Sequence, residues 1–324
     1  MRLRERYKPL IVASKAAFSG VLIYLIFRTI DIESFTAILS ELRYEFVVLG
    51  VAATWLNIVV AAYRWQKLQT YFRLSARFGY CLKVYAVGLT LNVALPGSVS
   101  GDVYRAYRFA TDTQKHWDSV SSVLADRFAG FVALIGVCTA LILMQDHVRS
   151  EPLDNTVKLL IAAIVVGFLI TSVVSVSRAR MKYGLYRVFI RLVYVVRRMF
   201  RGGGRILSVS VLSLLVLASI VAAMIFSMAA VSGELSRLDL AVFATTLSIL
   251  ASMIPITLAG FGLREGAVVG ALTFFGLSAT QSAAIAVVYS FCMIMQSLPG
   301  AVFWLLPKRL ALFELTDPAI DRQL

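Results

Sequence analysis

The chain has 324 residues, 59% of them hydrophobic, and a mean hydropathy of +0.81. Soluble domains are only about 45–50% apolar, so this composition excludes an ordinary soluble protein. The formal net charge of +14 does not indicate a nucleic-acid partner, because the basic residues lie in short loops beside apolar runs, as the positive-inside rule predicts. We predict an all-α polytopic membrane protein, a single transmembrane domain over residues 1–324.

Apolar runs near the length of about 20 residues that spans a bilayer recur along the chain. We predict about six full transmembrane helices, at residues 10–30, 46–63, 119–143, 157–177, 207–231 and 281–306. Two further apolar stretches, 78–112 and 240–277, are interrupted by proline and glycine.

Loop charges orient the first spans. Residues 1–9 carry four basic side chains, which predicts a cytoplasmic N-terminus. Residues 31–45 carry four acids and one arginine, and we predict that they lie outside. Residues 64–83 carry five basic side chains and no acid, and we predict that they lie inside.

The loop charges also predict that the first interrupted stretch does not cross the membrane. Residues 145–158 are acidic on balance and residues 178–205 hold nine Lys or Arg and no acid, so they are predicted outside and inside respectively. The span 119–143 must then start inside. Residues 84–118 must therefore leave the cytoplasmic face and return to it, which predicts a re-entrant hairpin over 78–112.

The second half of the chain gives the corresponding prediction with the opposite orientation. Span 207–231 leads outward, and the last span meets Lys308 and Arg309, which predicts a cytoplasmic C-terminus. The stretch 240–277 must then begin and end outside, as a second re-entrant hairpin. Such backbone is tolerated at membrane depth only where protein or water satisfies its polar groups.

The tips of the two hairpins share one spacing, in which proline is followed by glycine five residues later and by arginine four residues after that. The residues are Pro96, Gly101 and Arg105 in the first tip, and Pro255, Gly260 and Arg264 in the second. With Gly97 and Gly262, these prolines and glycines are the predicted hinges. Interrupted segments at corresponding, oppositely oriented positions indicate an inverted-topology repeat and a transporter's substrate site.

Each tip supplies chemistry that suits an anion. A half-helix that begins after a break presents free N–H groups and a positive dipole end. Arg105 and Arg264 lie about one turn into these half-helices, where a guanidinium group binds phosphate in bidentate fashion. The alternative is an interfacial arginine that reaches to the headgroups. Asp102 and Glu265 are either structural ion-pair partners or functional counter-ions and proton-coupling carboxylates.

Three further polar residues are candidates for the substrate site. Asp126 and Arg127 lie some eight residues into a span, and adjacent helical residues point about 100° apart. We predict that Arg127 faces the cavity and that Asp126 bonds to a neighbouring helix. Asn92 either binds substrate or caps the broken backbone.

Two arginines are interpreted more simply. Arg64 and Trp65 come at the end of an apolar run and are interpreted as an interfacial anchor. Arg108 is interpreted as an arginine that reaches to the headgroups. In residues 178–205 the basic side chains recur on one helical face, which predicts an amphipathic cytoplasmic helix on an anionic membrane surface.

The sequence offers no metal, cofactor or catalytic motif. The three cysteines stand alone in apolar sequence and there are two histidines, so neither a zinc site nor a disulfide framework is indicated. No DxD-type acidic pair, His–carboxylate couple or nucleophile motif is present, and we expect a protein that is not an enzyme.

Three stretches give the sequence its family resemblance. Asn92 with LPGSVSGDVYRAYRF, LADRFAG at 124–130 and IPITLAGFGLREGA at 254–267 resemble the flippase-like family, the transmembrane region of lysylphosphatidylglycerol synthases. The resemblance covers nearly the whole chain. It implies an integral inner-membrane protein of a prokaryote that moves a lipid between leaflets. The chain ends 16 residues after Lys308, so we expect a stand-alone member without the soluble synthase domain.

The resemblance and the tips together predict a lipid translocase for a phosphate-containing headgroup. The substrates that the resemblance implies are a phospholipid, an aminoacyl lipid or a polyprenyl-phosphate-linked lipid. The alternatives are an accessory subunit of a neighbouring lipid or glycan synthesis enzyme, and an embedded transferase for lipid-linked glycan or envelope lipid. The predicted substrate-binding residues are Arg105, Arg264, Asp102, Glu265, Asn92 and Arg127.

Overall fold

The computed structural model describes residues 17, 19–21, 24, 28, 31–72, 74–95, 99–144, 204–233, 235, 237–253, 257 and 260–305. Most of these residues are helical, and none of them lies in a strand. The helices are α1 (Ile32–Ser40), α2 (Tyr44–Gln69), α3 (Phe78–Ala94), α4 (Ser100–Thr113), α5 (His116–Met144), α6 (Gly204–Ser232), α7 (Leu238–Met253), α8 (Leu263–Phe274), α9 (Ala279–Met295) and α10 (Leu298–Leu305). A 3₁₀ turn, Thr70–Phe72, follows α2.

Four helical segments in this part of the chain are long and apolar enough to cross a membrane. They are Tyr44–Phe72, His116–Val137, Leu207–Ser232 and Ala279–Leu305. They match four of the six predicted spans, so the polytopic membrane class is confirmed. The predicted span at 157–177, nearly all of the amphipathic helix at 178–205 and most of the run at 10–30 lie outside the described residues.

The last predicted span, 281–306, is broken where the sequence analysis expected one continuous helix. Helix α9 ends at Met295 and α10 begins at Leu298. Pro299 lies in the first turn of α10. Proline lacks the N–H that an unbroken helix needs, and its ring collides with the carbonyl four residues earlier.

Contacts divide the chain into two compact units, each of which holds one interrupted stretch. The Arg105 unit comprises Trp55–Leu91, Val99–Ala218 and Ser297–Leu324. The Arg264 unit comprises Met1–Thr54, Asn92–Ser98 and Ser219–Gln296.

In the Arg105 unit, α3 and α4 pack as an antiparallel pair. At one end the Tyr80 hydroxyl donates to Asp112 at 2.6 Å, and at the other the Ser100 hydroxyl donates to the Leu91 carbonyl at 3.0 Å. Between them, a Cβ on Gly88 would lie 3.1 Å from the Gly101 carbonyl. With 17 and 14 residues, the helices are about 26 and 21 Å long. Each is shorter than a hydrocarbon core of about 30 Å.

In the Arg264 unit, α7 and α8 form a second antiparallel pair. The rings of Phe243 and Phe275 meet edge to face at 5.1 Å, and at the other end Gly260 lies against Ser252. The two helices have 16 and 12 residues, or about 24 and 18 Å. Both interrupted stretches are therefore helical hairpins of short helices.

Only part of the predicted hinge set behaves as the sequence analysis expected. Gly260 and Gly262 adopt φ of +84° and +85°, which L-residues with a side chain rarely adopt. Gly101, by contrast, is not in a turn: it is the second residue of α4 and lies against α3. Its lack of a side chain serves close helix packing. Pro96, Gly97 and Pro255 lie outside the described residues.

The first hairpin is also held against α10 at Gly300. The Thr90 hydroxyl donates to the Ser297 carbonyl at 2.7 Å. A methyl group on Gly300 would collide with the carbonyl of Ala86 and the hydroxyl of Thr90. The two backbones approach closely here, which small residues permit between helices in membranes.

We predict that Gly300→Ala lowers the stability of the folded protein by about 1–3 kcal/mol, because the added methyl forces α10 away from α3. Gly270→Ala is the matched control: Gly270 is an exposed helical glycine with open space at its Cβ, and we expect a gain of about 0.5–1 kcal/mol. Thermal unfolding in detergent measures both. Equal effects of the two substitutions would contradict the close contact.

Candidate functional site

Asp126 of α5 lies at the centre of a buried ion-pair network in the Arg105 unit. Its Oδ1 accepts a hydrogen bond from Nε of Arg64 on α2 at 2.9 Å, and its Oδ2 accepts one from Nη2 of Arg105 on α4 at 2.9 Å. The Asp126 residue is 2% exposed. One carboxylate thus joins three helices of the unit.

Asp102 is the second carboxylate of the network. It accepts a hydrogen bond from Nη1 of Arg105 at 3.3 Å and a second one from Nε of Arg127. Asp102 is the third residue of α4, in the first turn, where the helix dipole favours a negative charge. Arg105 therefore bridges the two acids, and Arg127 adds a third guanidinium group.

The guanidinium group of Arg105 is held between two aromatic rings. Its Cζ lies 4.3 Å from the ring centroid of Trp65 and 4.2 Å from that of Tyr85. Trp65 is fully buried, and its indole N–H donates to the Ser122 hydroxyl at 3.2 Å. Cation–π contacts are strengthened when the pair is desolvated, so the rings and the acids together fix this side chain.

An aromatic core supports the network from within the same unit. The rings of Trp65 and Tyr80 each pack edge to face on Phe109, at 5.6 and 5.7 Å. Leu68 and Val123 belong to the same buried cluster. Phe109 lies one turn after Arg105 on α4, so burial of this aromatic face fixes the rotation of α4 and hence the direction of Arg105.

Counted over the described residues, the network carries more positive than negative charge. Its five side chains, Arg64, Arg105, Arg127, Asp102 and Asp126, amount to three guanidinium groups and two carboxylates. Their exposed fractions run from 3% for Asp126 to 18% for Arg127. Ionisable groups at membrane depth are costly and usually mark substrate or ion pathways. The arrangement is suited to attracting an anion.

The Arg264 unit contains a smaller cluster around Glu265. Its Oε1 accepts hydrogen bonds from Arg264 Nη2 at 2.9 Å and from the Ser290 hydroxyl at 2.5 Å. Its Oε2 accepts one from the backbone N–H of Gly262 at 2.6 Å. Arg264 also lies over the ring of Phe261, at 5.1 Å. The charges of Arg264 and Glu265 balance.

The two tips are not equivalent in three dimensions, although their residue spacing is. Arg105 is the sixth residue of α4, whereas Arg264 is the second residue of α8. What the two helices share is an acid at the third position, Asp102 and Glu265 respectively. In α8 this acid bonds back to the residue before the helix, so Glu265 itself occupies the positive helix end that the sequence analysis assigned to an external anion.

The structure therefore places five of the six predicted site residues in two clusters. Asp102, Arg105 and Arg127 lie in one, and Arg264 and Glu265 lie in the other. Asn92 lies in the last turn of α3 and is partly buried. As expected, Asp126 bonds to neighbouring helices.

Arg64 and Trp65 are the residues that sequence reasoning misplaced. They were interpreted as an interfacial anchor, but Arg64 is 4% exposed and bound to Asp126, and Trp65 lies against Arg105. Helix α2 continues to Gln69, so the pair lies within the helix rather than at its end. Arg108, in contrast, has a partly exposed side chain and pairs with Asp112 on its own helix. No group of three metal-ligating side chains occurs among the described residues.

Residues 12–300 match the model of one protein family, described as the lysylphosphatidylglycerol synthase TM region. The chain belongs to this family. The predicted resemblance is thus confirmed, and the membership indicates an integral membrane protein of lipid or cell-envelope metabolism. No curated protein matches the chain.

We predict that Asp126→Asn lowers the stability by about 3–5 kcal/mol, because it leaves Arg64 and Arg105 buried without their shared carboxylate. Asp239→Asn is the control. Asp239 pairs with Arg237 at 3.7 Å, and the two side chains are 40% and 46% exposed, so loss of this pair should cost no more than about 1 kcal/mol. Thermal unfolding in detergent compares them. A loss of less than about 1 kcal/mol for Asp126→Asn would show that the pairs do not stabilise the unit.

Proposed function

We propose that this protein is a lipid translocase that moves a lipid with a phosphate-containing headgroup between the leaflets of the cell membrane of a prokaryote. The observation that carries the proposal is the buried Arg105 network, which has an excess of positive charge in a protein of a lipid-related membrane family. A polar headgroup needs such groups to cross the apolar core, since water is absent there.

The proposal includes a topology. Both hairpins are re-entrant: α3 and α4 enter from the cytoplasmic side and return, and α7 and α8 do the same from outside. The four helices are each shorter than a span, which supports this arrangement. Both termini are cytoplasmic, and the basic segment 178–205 lies on the anionic inner surface.

The proposed transport needs no catalytic centre within this chain. The sequence contains no nucleotide-binding Walker motif, so movement follows the lipid gradient or is coupled to an ion. The Arg105 network and the Arg264–Glu265 cluster each provide polar groups that bind the headgroup during its passage.

Leaflet exchange in proteoliposomes tests the proposal. We expect purified protein to accelerate dithionite quenching of fluorescent phosphatidylglycerol, lysylphosphatidylglycerol or polyprenyl phosphate. Arg105→Lys and Arg264→Lys should each lower the rate by about tenfold or more, since the ammonium group cannot reproduce the guanidinium fork.

Arg108→Lys is the matched control, because the Arg108 side chain is 43% exposed and pairs only with its own helix neighbour Asp112 among the ion pairs described. Its exchange rate should equal that of the unsubstituted protein. If the unsubstituted protein accelerates the exchange of none of these lipids, translocation is refuted and the role of an accessory subunit is favoured.

Cysteine accessibility tests the re-entrant topology. In a chain whose Cys81, Cys138 and Cys292 are replaced, we expect His116→Cys to react with a membrane-impermeant maleimide only from the cytoplasmic side. Glu41→Cys should react only from outside and reports the opposite face. Both positions are exposed in the structure. Labelling of His116→Cys from outside would mean that residues 78–113 cross the membrane.

A further inference from the structure

We propose that the Arg105 network selects lipids whose headgroup carries a net negative charge, and that Arg127 is the residue that contacts the phosphate. This inference rests on the proposed lipid translocation and adds the substrate class and the contact residue. The ligand is a phosphate ester without a compensating cation, such as phosphatidylglycerol or a polyprenyl phosphate. Zwitterionic and aminoacylated headgroups are disfavoured.

The first step is the order of burial along the network. The side chains of Asp126, Arg64 and Arg105 are 3%, 5% and 6% exposed, that of Asp102 is 9% exposed, and that of Arg127 is 18% exposed. The network thus runs from a closed inner end at Arg64 to an accessible outer end at Arg127. A ligand that approaches it meets Arg127 first.

The second step is the immobility of Arg105. Two rings cover its faces, two carboxylates bind its Nη atoms, and its side chain is almost fully buried. Reaching a headgroup would require Arg105 to break these contacts at once. Arg105 is therefore a positioning residue, which holds Asp102 and through it the guanidinium group of Arg127.

The third step is charge. The five side chains carry one positive charge more than their carboxylates neutralise, and electrostatic interactions are strong where the dielectric constant is low. A phosphate diester brings one negative charge and completes the balance. A phosphatidylethanolamine headgroup brings none in net terms, and a lysylphosphatidylglycerol headgroup brings a positive one. Charge alone therefore predicts the strongest binding for phosphatidylglycerol, weaker binding for phosphatidylethanolamine and the weakest for lysylphosphatidylglycerol.

Charge-changing variants separate this proposal from a merely structural role. Arg127→Gln removes the positive excess, and Asp102→Asn doubles it. Binding of short-chain phosphatidylglycerol to the purified protein in neutral detergent can be measured by titration with native mass spectrometry. We expect about tenfold weaker binding for Arg127→Gln and tighter binding for Asp102→Asn. Arg127→Lys should keep most of the preference for phosphatidylglycerol over phosphatidylethanolamine.

Three outcomes would overturn the inference. The first is weaker binding in both Arg127→Gln and Asp102→Asn, which is what damage to the fold would produce. The second is equal or tighter binding of phosphatidylethanolamine or lysylphosphatidylglycerol by the unsubstituted protein. The third is displacement of the lipid by millimolar inorganic phosphate alone, which would assign the site to free phosphate. Arg108→Gln, with the same loss of charge at a partly exposed site outside the network, should leave lipid binding unchanged.

Two further readouts keep the result interpretable. Thermal unfolding of each variant identifies loss of fold, and the double variant Asp102→Asn with Arg127→Gln, which restores the original net charge, should bind with intermediate affinity. Binding is measured without transport. Charge-selective binding without leaflet exchange would therefore refute only the translocase proposal, and exchange without charge selectivity would refute only this inference.

Discussion

The carboxylate of Asp126, shared between Arg64 and Arg105, is the interaction on which the Arg105 unit depends. Any one of these charges alone would be unstable at a buried position in a membrane protein. Their mutual neutralisation obliges α2, α4 and α5 to pack with these residues facing each other. With Arg105 held by Asp126, the guanidinium group also contacts the rings of Trp65 and Tyr85, and Asp102 links it to Arg127 at the outer end.

Sequence reasoning predicted the elements of this arrangement better than its contacts. Apolar runs predicted the long helices because burial in lipid demands about 20 apolar residues, and proline and glycine indicated both interruptions. The partners of Asp126 could not be predicted in this way. Arg64 precedes it by 62 residues, and helical periodicity specifies the face of a helix but not its neighbour. Arg64 was misinterpreted because the apolar run stops before the helix does.

The repeat is a second case in which residue spacing did not predict the structure. Equal spacing from proline to arginine predicted that Arg105 and Arg264 occupy equal positions, yet the two helices begin at different distances before them. The position of a helix start depends on local hydrogen bonds, such as that from Gly262 N–H to Glu265, and these are not encoded in spacing alone. The feature that the tips do share, an acid at the third helical position, follows from the helix dipole.

The two acids of the Arg105 network also bear on how a carrier releases its cargo. Three guanidinium groups without carboxylates would hold a phosphate tightly, and a lipid bound that tightly would leave slowly, because residence time sets most differences in affinity. Asp102 and Asp126 reduce the excess to one positive charge and already occupy most of the inner donors. A headgroup then competes for Arg127 against a carboxylate that stays in place, and when the headgroup leaves, Asp102 remains bound to the same guanidinium group. In the proposed translocase, the acids keep binding reversible while the arginines keep it selective.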